Sequence, residues 1–247
     1  MKYYSTNHTA LEASLEKAVI KGLAEDRGLY MPSRLEKLSP TFFEQIEDLS
    51  FQEIAYNIAN VFFGEDVAPE TLKKIVYDTL SFDTPLKKID RNIYALELFH
   101  GPTLAFKDVG ARFMARLLQY EIHKERKTGD VNVLVATSGD TGKAALEGFA
   151  DVDGTEIIVF YPQQGVSRVQ ERQMITQEGK NTHVFAIKGN FDDAQKGVKK
   201  IFNDSDFAKE LELGGIKLSS ANSINIGRLV PQVAYYVYGY IKLLEKE

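Results

Sequence analysis

Val131-Asn132-Val133-Leu134-Val135-Ala136-Thr137-Ser138-Gly139-Asp140-Thr141-Gly142-Lys143 decides how the fold is read. A β-branched apolar run ends in small residues and two glycines, and a helical pattern over Thr141–Ala150 follows. The same grammar recurs on either side. Short apolar runs at Asn92–Leu98, Glu156–Tyr161, Thr182–Ile187 and Ile216–Ser219 predict further strands. Helical spacing over Ala105–Arg126, Ser167–Glu178 and Phe191–Phe202 falls between them, with Gly189–Asp193 opening the last helix. Strands that alternate with helices predict an α/β unit: an open, mostly parallel sheet with helices on both faces.

Upstream the texture differs. Met1–Ser5 is a candidate short strand, and Leu11, Leu15, Ala18, Val19 and Leu23 mark one helical face ending near Gly22. Gly22–Pro32 is a glycine-punctuated turn, and helices are expected over Phe42–Asp48, Phe51–Phe63 and Pro69–Leu80. The expected division is a mainly helical domain at 1–82 and an α/β domain at 83–247. Leu229–Glu247 reads as a helix whose tyrosines serve packing. Because the strands stop shortly before it, the α/β domain is expected to be incomplete at its C-terminus and the chain to be part of a longer protein.

Composition narrows the function classes. The 247 residues are 44% hydrophobic and 26% charged, with a formal net charge of -5 spread along the chain. No basic tract suits nucleic acid, and no apolar run approaches the roughly 20 residues of a membrane span. There is no cysteine, and His8, His100, His123 and His183 do not cluster, so no metal site is expected. The expectation is a cytoplasmic, metal-independent protein acting on a small molecule, of unknown oligomeric state.

Three stretches carry chemistry. In His100–Asp108, Thr103 is a candidate N-cap, and Phe106, Val109, Phe113 and Leu117 recur at helical spacing. Lys107 then sits near a helix start, where the backbone dipole disfavours a cation, so it breaks a local rule. A desolvated lysine is an amine nucleophile able to form a Schiff base with a carbonyl cofactor; the alternative is a surface lysine paired with Asp108. In Ala136–Lys143, glycines and helix N–H groups suit a carboxylate or phosphate, or simply make a capped turn. It is not a phosphate-binding Walker loop, because Thr137 and Ala144 stand where that motif needs Gly and Ser/Thr. In Ser219–Arg228, short Asn and Ser donors precede Arg228, whose planar fork suits phosphate; a loop that only caps the next helix is the other reading. Three polar loops following strands of one sheet favour a shared pocket.

Four motifs now resemble the threonine synthase family, enzymes dependent on pyridoxal 5'-phosphate (PLP) with the fold type II architecture. They are GLAEDRGLYMP at 22–32, FHGPTLAFKDVG at 99–110, ATSGDTG at 136–142 and SANSINIGR at 220–228, in family order across nearly the whole chain. The resemblance implies that Lys107 bonds to PLP and later shuttles protons, with Phe106 beside the pyridine ring and Asp140 near the cofactor's O3' side. It implies that Ser138, Gly139 and Thr141 receive the substrate α-carboxylate. Asn222, Ser223 and Arg228 match positions that hold the substrate phosphate; Thr141 also reaches toward it, and Asn225 is a weaker candidate. The implied reaction turns O-phospho-L-homoserine and water into L-threonine and phosphate.

Departures from the pattern are also visible. Asp140 stands where many relatives in the wider superfamily have Asn, and Arg27 stands where glycine is usual. The glycine-rich cup for the PLP phosphate and the Ser/Thr at the pyridine nitrogen have no match after Arg228, so the isolated chain is expected to turn over little. A related fold type II dehydratase and a non-catalytic ligand-binding module are the alternatives.

Overall fold

The computed structural model describes residues 1–124 and 130–245. The chain opens with β1 (Tyr3–Ser5), helix α1 (Leu15–Lys21) and β2 (Tyr30–Pro32), the two strands pairing antiparallel. Helix α1 starts at Leu15 rather than Leu11. Backbone hydrogen bonds tie Ala13 to Tyr3, Ser14 caps the helix, and Leu11 stays exposed. Helices α2 (Pro40–Glu44), α3 (Phe51–Phe63) and α4 (Pro69–Thr79) follow. A Ser50–Glu53 capping box starts α3, and Pro69 starts α4 where its missing N–H costs nothing.

Next come β3 (Leu86–Asp90) and β4 (Ile93–Leu96), an antiparallel ribbon standing apart from the main sheet. This corrects the reading of Asn92–Leu98 as one of the parallel series. Only Arg91 and Asn92 separate the two strands, whereas a parallel crossover needs a dozen or more residues. Strand β3 went unseen because Lys87, Lys88 and Asp90 leave it little apolar signal.

The α/β unit then runs α5 (Lys107–Lys124), β5 (Val131–Ala136), α6 (Asp140–Phe149), β6 (Thr155–Pro162), α7 (Arg168–Ile175) and β7 (Thr182–Ile187). It continues with α8 (Phe191–Asn203), α9 (Ser205–Leu213), β8 (Lys217–Ser219), α10 (Ile226–Leu229) and α11 (Val233–Leu244). The predicted ends of the helices at 105–126 and 229–247 lie partly outside the described residues. The four strands β5 to β8 form one wholly parallel sheet in the order β7-β6-β5-β8. Alternation sends Val133, Val135, Ile157 and Val159 to the face covered by α5 and α6, into a core cluster that also holds the N-terminal helices. Leu134 and Ala136 point the other way, against Ala194 and Val198 of α8. Helix α9, with no buried residue, carries only a short apolar stripe of Phe207, Ala208 and Leu211 and was not anticipated.

The strand order reverses at β5. The chain moves outward from β5 to β6 to β7, then returns to place β8 on the other side of β5. Loops leaving β5 and β8 therefore diverge, and a crevice opens at the carboxyl ends of these strands, where open α/β sheets bind ligands. Among the described residues no helix is long and apolar enough to cross a membrane, and no group of three or more His, Asp or Glu could hold a metal.

Candidate active site

Lys107 opens α5, so Thr103 is not the helix N-cap. Its hydroxyl instead bonds the Asp108 carboxylate, which also accepts the Thr103 N–H at 2.9 Å. Asp108 is fully buried, and burial raises its pKa. This removes the surface-lysine alternative. Asp108 faces its own turn, while the half-buried Lys107 Nζ donates to Thr141 Oγ1 at 3.0 Å. Phe106 lies half-exposed with its ring centroid 5.8 Å from the same amine. Among the described residues Lys107 makes no ion pair. Burial pulls its pKa below the ordinary lysine value; the nearby Arg228 and Lys143 charges add to this, and Asp140 opposes it.

The β5–α6 loop owes its shape to Thr137 and Gly139. The buried Thr137 hydroxyl accepts the N–H groups of Gly139 at 3.0 Å and Gly142 at 2.9 Å. Gly139 has φ +144°, a conformation that L side chains rarely adopt. Ser138 is left exposed at the tip. Asp140 Oδ1 receives Gln170 Nε2 at 2.7 Å and Lys143 Nζ at 3.1 Å. Burial pushes the Asp140 carboxyl upward, but the Gln170 and Lys143 bonds outweigh it and leave its pKa below the usual value.

The β8–α10 loop uses its polar groups differently. Asn225, fully buried, donates to Val19 O at 2.7 Å and accepts the Gly227 N–H at 3.0 Å. It fastens the loop to α1, and its amide is engaged by backbone groups rather than lining the cleft. Arg228 is also buried; Nη1 bonds the Ala221 carbonyl, while Nε has no hydrogen-bond partner among the described residues. Burial pulls its pKa down to about 10. Gly110 lets α5 pass close to it, since an added Cβ there would lie 2.7 Å from the Arg228 carbonyl. Asn222 is half-buried and Ser223 exposed.

Ser138, Thr141, Asn222 and Ser223 line one cleft of about 1090 Å³, walled by α1 and α8. Phe106 and Asp140 line a neighbouring groove with Tyr235 and Tyr236. Lys107, Gly139 and Arg228 line neither; Lys107 reaches the first through its bond to Thr141. Sequence reading missed Gln170 and Lys143. The i, i+3 spacing of Asp140 and Lys143 was a usable signal, whereas Gln170 comes from a helix beyond the next strand and had none.

A half-buried amine, held by Thr141 and free of any ion pair among the described residues, suits a carbonyl cofactor beside the β5–α6 loop. The family model described as "Pyridoxal-phosphate dependent enzyme" matches residues 78–226, more than half of the chain. The chain belongs to the pyridoxal-phosphate-dependent enzyme family. Within that family the resemblance is to threonine synthases, and the model "Threonine synthase N terminus" matches residues 2–80. A threonine synthase from Schizosaccharomyces pombe is 37% identical over 100% of this chain and 49% of the relative. One from Pseudomonas aeruginosa is 39% identical over 98% of this chain and 51% of its own length. The crystal structure of PLP-bound threonine synthase from Brucella melitensis superposes with a TM-score of 0.88 at 38% identity, covering 98% of this chain and 52% of that one. This pyridoxal-phosphate-dependent family member thus spans about half the length of the curated relatives it matches.

Proposed function

We propose that this chain supplies the Lys107 face of a threonine synthase, converting O-phospho-L-homoserine and water into L-threonine and phosphate. Residues 1–82 are the helical domain and 83–247 the cofactor domain of that enzyme, a division supported by family matches at 2–80 and 78–226. The proposed compartment is the cytoplasm, with which a cysteine-free sequence is compatible. The observation that carries the reading is the Lys107 amine: half-buried, free of any ion pair among the described residues, and held by Thr141.

These residues fit the reactive end of PLP. Lys107 would hold the aldehyde carbon, Phe106 would lie beside the ring, and Asp140 would stand near the O3' side. When bound, PLP provides an electron sink for charge released at the substrate Cα. The lowered pKa of Lys107 raises the fraction of neutral amine at a given pH, and that neutral Nζ takes the Cα proton. Thr141 holds Nζ in place for the transfer. Ser138, Gly139 and Thr141, at the N-terminus of α6, receive the α-carboxylate. Asn222 and Ser223 donate to the phosphate, and Arg228 adds its charge from beneath the loop, stabilising the departing group.

The test is spectroscopic. The chain incubated with PLP is expected to keep a cofactor absorbance band through dialysis, and Lys107→Ala is expected to lose it completely. Because the amine's pKa is lowered, Lys107 should reach half-maximal modification below the ordinary lysine value of about 10.4. A band of equal strength in Lys107→Ala would refute the reading.

A further inference from the structure

Gln170, on the first turn of α7, reaches across to the β5–α6 loop, where its Nε2 donates to Asp140 Oδ1 at 2.7 Å. The opposite end of the amide is also engaged. Oε1 accepts from Ser167 Oγ at 3.0 Å, and the same hydroxyl caps α7 by accepting the Gln170 N–H at 3.2 Å. Turning the amide over would set Oε1 against the Asp140 carboxylate, two acceptors face to face, so the donor end is committed to Asp140. The loop is built around this contact: a Cβ at Gly139 would lie 2.5 Å from Gln170 Cδ and Oε1.

Lys143 shares the same carboxylate oxygen at 3.1 Å, but it lies on α6 itself, three residues along. A bond within one helix cannot fix that helix end relative to the rest of the molecule. Gln170 belongs to a different element, so its bond can.

We propose that Gln170 is a positioning residue for the Lys107 site: by tying Asp140 to α7 it fixes the loop that sets Thr141 against the Lys107 amine and Ser138 at the mouth of the cleft. The inference deepens the cofactor reading and rests on it. The charged groups around this contact are Asp140 and Lys143 on α6, Lys107 on α5 and Arg228 on α10. Glu171, the next residue on α7, accepts from Tyr161 Oη at 3.1 Å.

The measurement is the rate at which PLP attaches to Lys107, trapped by borohydride and located by peptide mapping, expressed as a variant-to-wild-type ratio at each pH. Gln170→Leu is expected to slow labelling about tenfold, the value of one hydrogen bond to a charged group. Gln170→Glu places a carboxylate against Asp140 and should be about as slow at pH 8. Its ratio should climb toward one near pH 5.5, because Asp140 raises the pKa of the new carboxyl, which once protonated can donate again. A purely structural role predicts no such pH-dependent rescue. Wild-type rates in Gln170→Leu, or a flat ratio in Gln170→Glu, would overturn the inference; if the leucine variant does not fold, the glutamate profile decides alone. If the wild-type chain shows no preference for Lys107 over its other lysines, the cofactor reading falls and takes this inference with it.

Discussion

The loops after β5 and β8 are built from similar residues and put them to opposite uses. Each follows a strand of one sheet, is rich in small polar residues and precedes a helix. The β5–α6 loop turns its chemistry outward. Thr137 satisfies the turn from inside, Ser138 is exposed, and Asp140 is held by side chains outside the turn. The β8–α10 loop turns much of its chemistry inward. Asn225 and Arg228 are buried against backbone carbonyls, and Asn222 and Ser223 remain at the cleft. One loop presents and the other anchors, which shows that polar residues at strand ends do not declare by type whether they face a ligand or the core.

Substitutions can break this contrast. Asn225→Ala should cost the most stability, about 2–4 kcal/mol, since it strands the Gly227 N–H in the interior and leaves the Val19 carbonyl only the longer 3.4 Å bond from Ser219 Oγ; a denaturation midpoint near wild type would show that Asn225 does not anchor the loop. Gly139→Ala should cost about 1–3 kcal/mol, because φ +144° is strained for any Cβ and Gln170 occupies the space. Its cost should be accompanied by slower Lys107 labelling, whereas that of Asn225→Ala reads on α1 docking first. Ser138→Ala should move stability by no more than about 0.5 kcal/mol while weakening retention of a carboxylate ligand, measured by calorimetry with an unreactive amino acid. Unchanged affinity there would mean that the exposed tip presents nothing.

Much of the fold could be read along the chain. The run at Val131–Ala136 announces a strand because burial on both faces demands continuous apolar residues, and Glu156–Tyr161 and the edge run Thr182–Ile187 do so through their β-branched and aromatic residues; all three join the parallel sheet. Asn190 and Asp193 announce the start of α8, since a capping box is a local hydrogen-bond pattern. Thr103 misled because its hydroxyl found a side-chain carboxylate instead of a helix N–H. Asn92–Leu98 misled because one strand's sequence does not state its partner's direction.

By itself the sequence determined the alternation of strands and helices, the polar character of the strand-end loops and the placing of a lysine at a helix start, because each is a matter of spacing between near neighbours. Tertiary structure alone decided that Lys107 leans on Thr141, that Gln170 grips Asp140, and that Arg228 lies beneath its loop while Ser223 faces the cleft. Burial and charge depend on groups brought close by folding from distant parts of the chain, and those distances exist only once the sheet has ordered its strands.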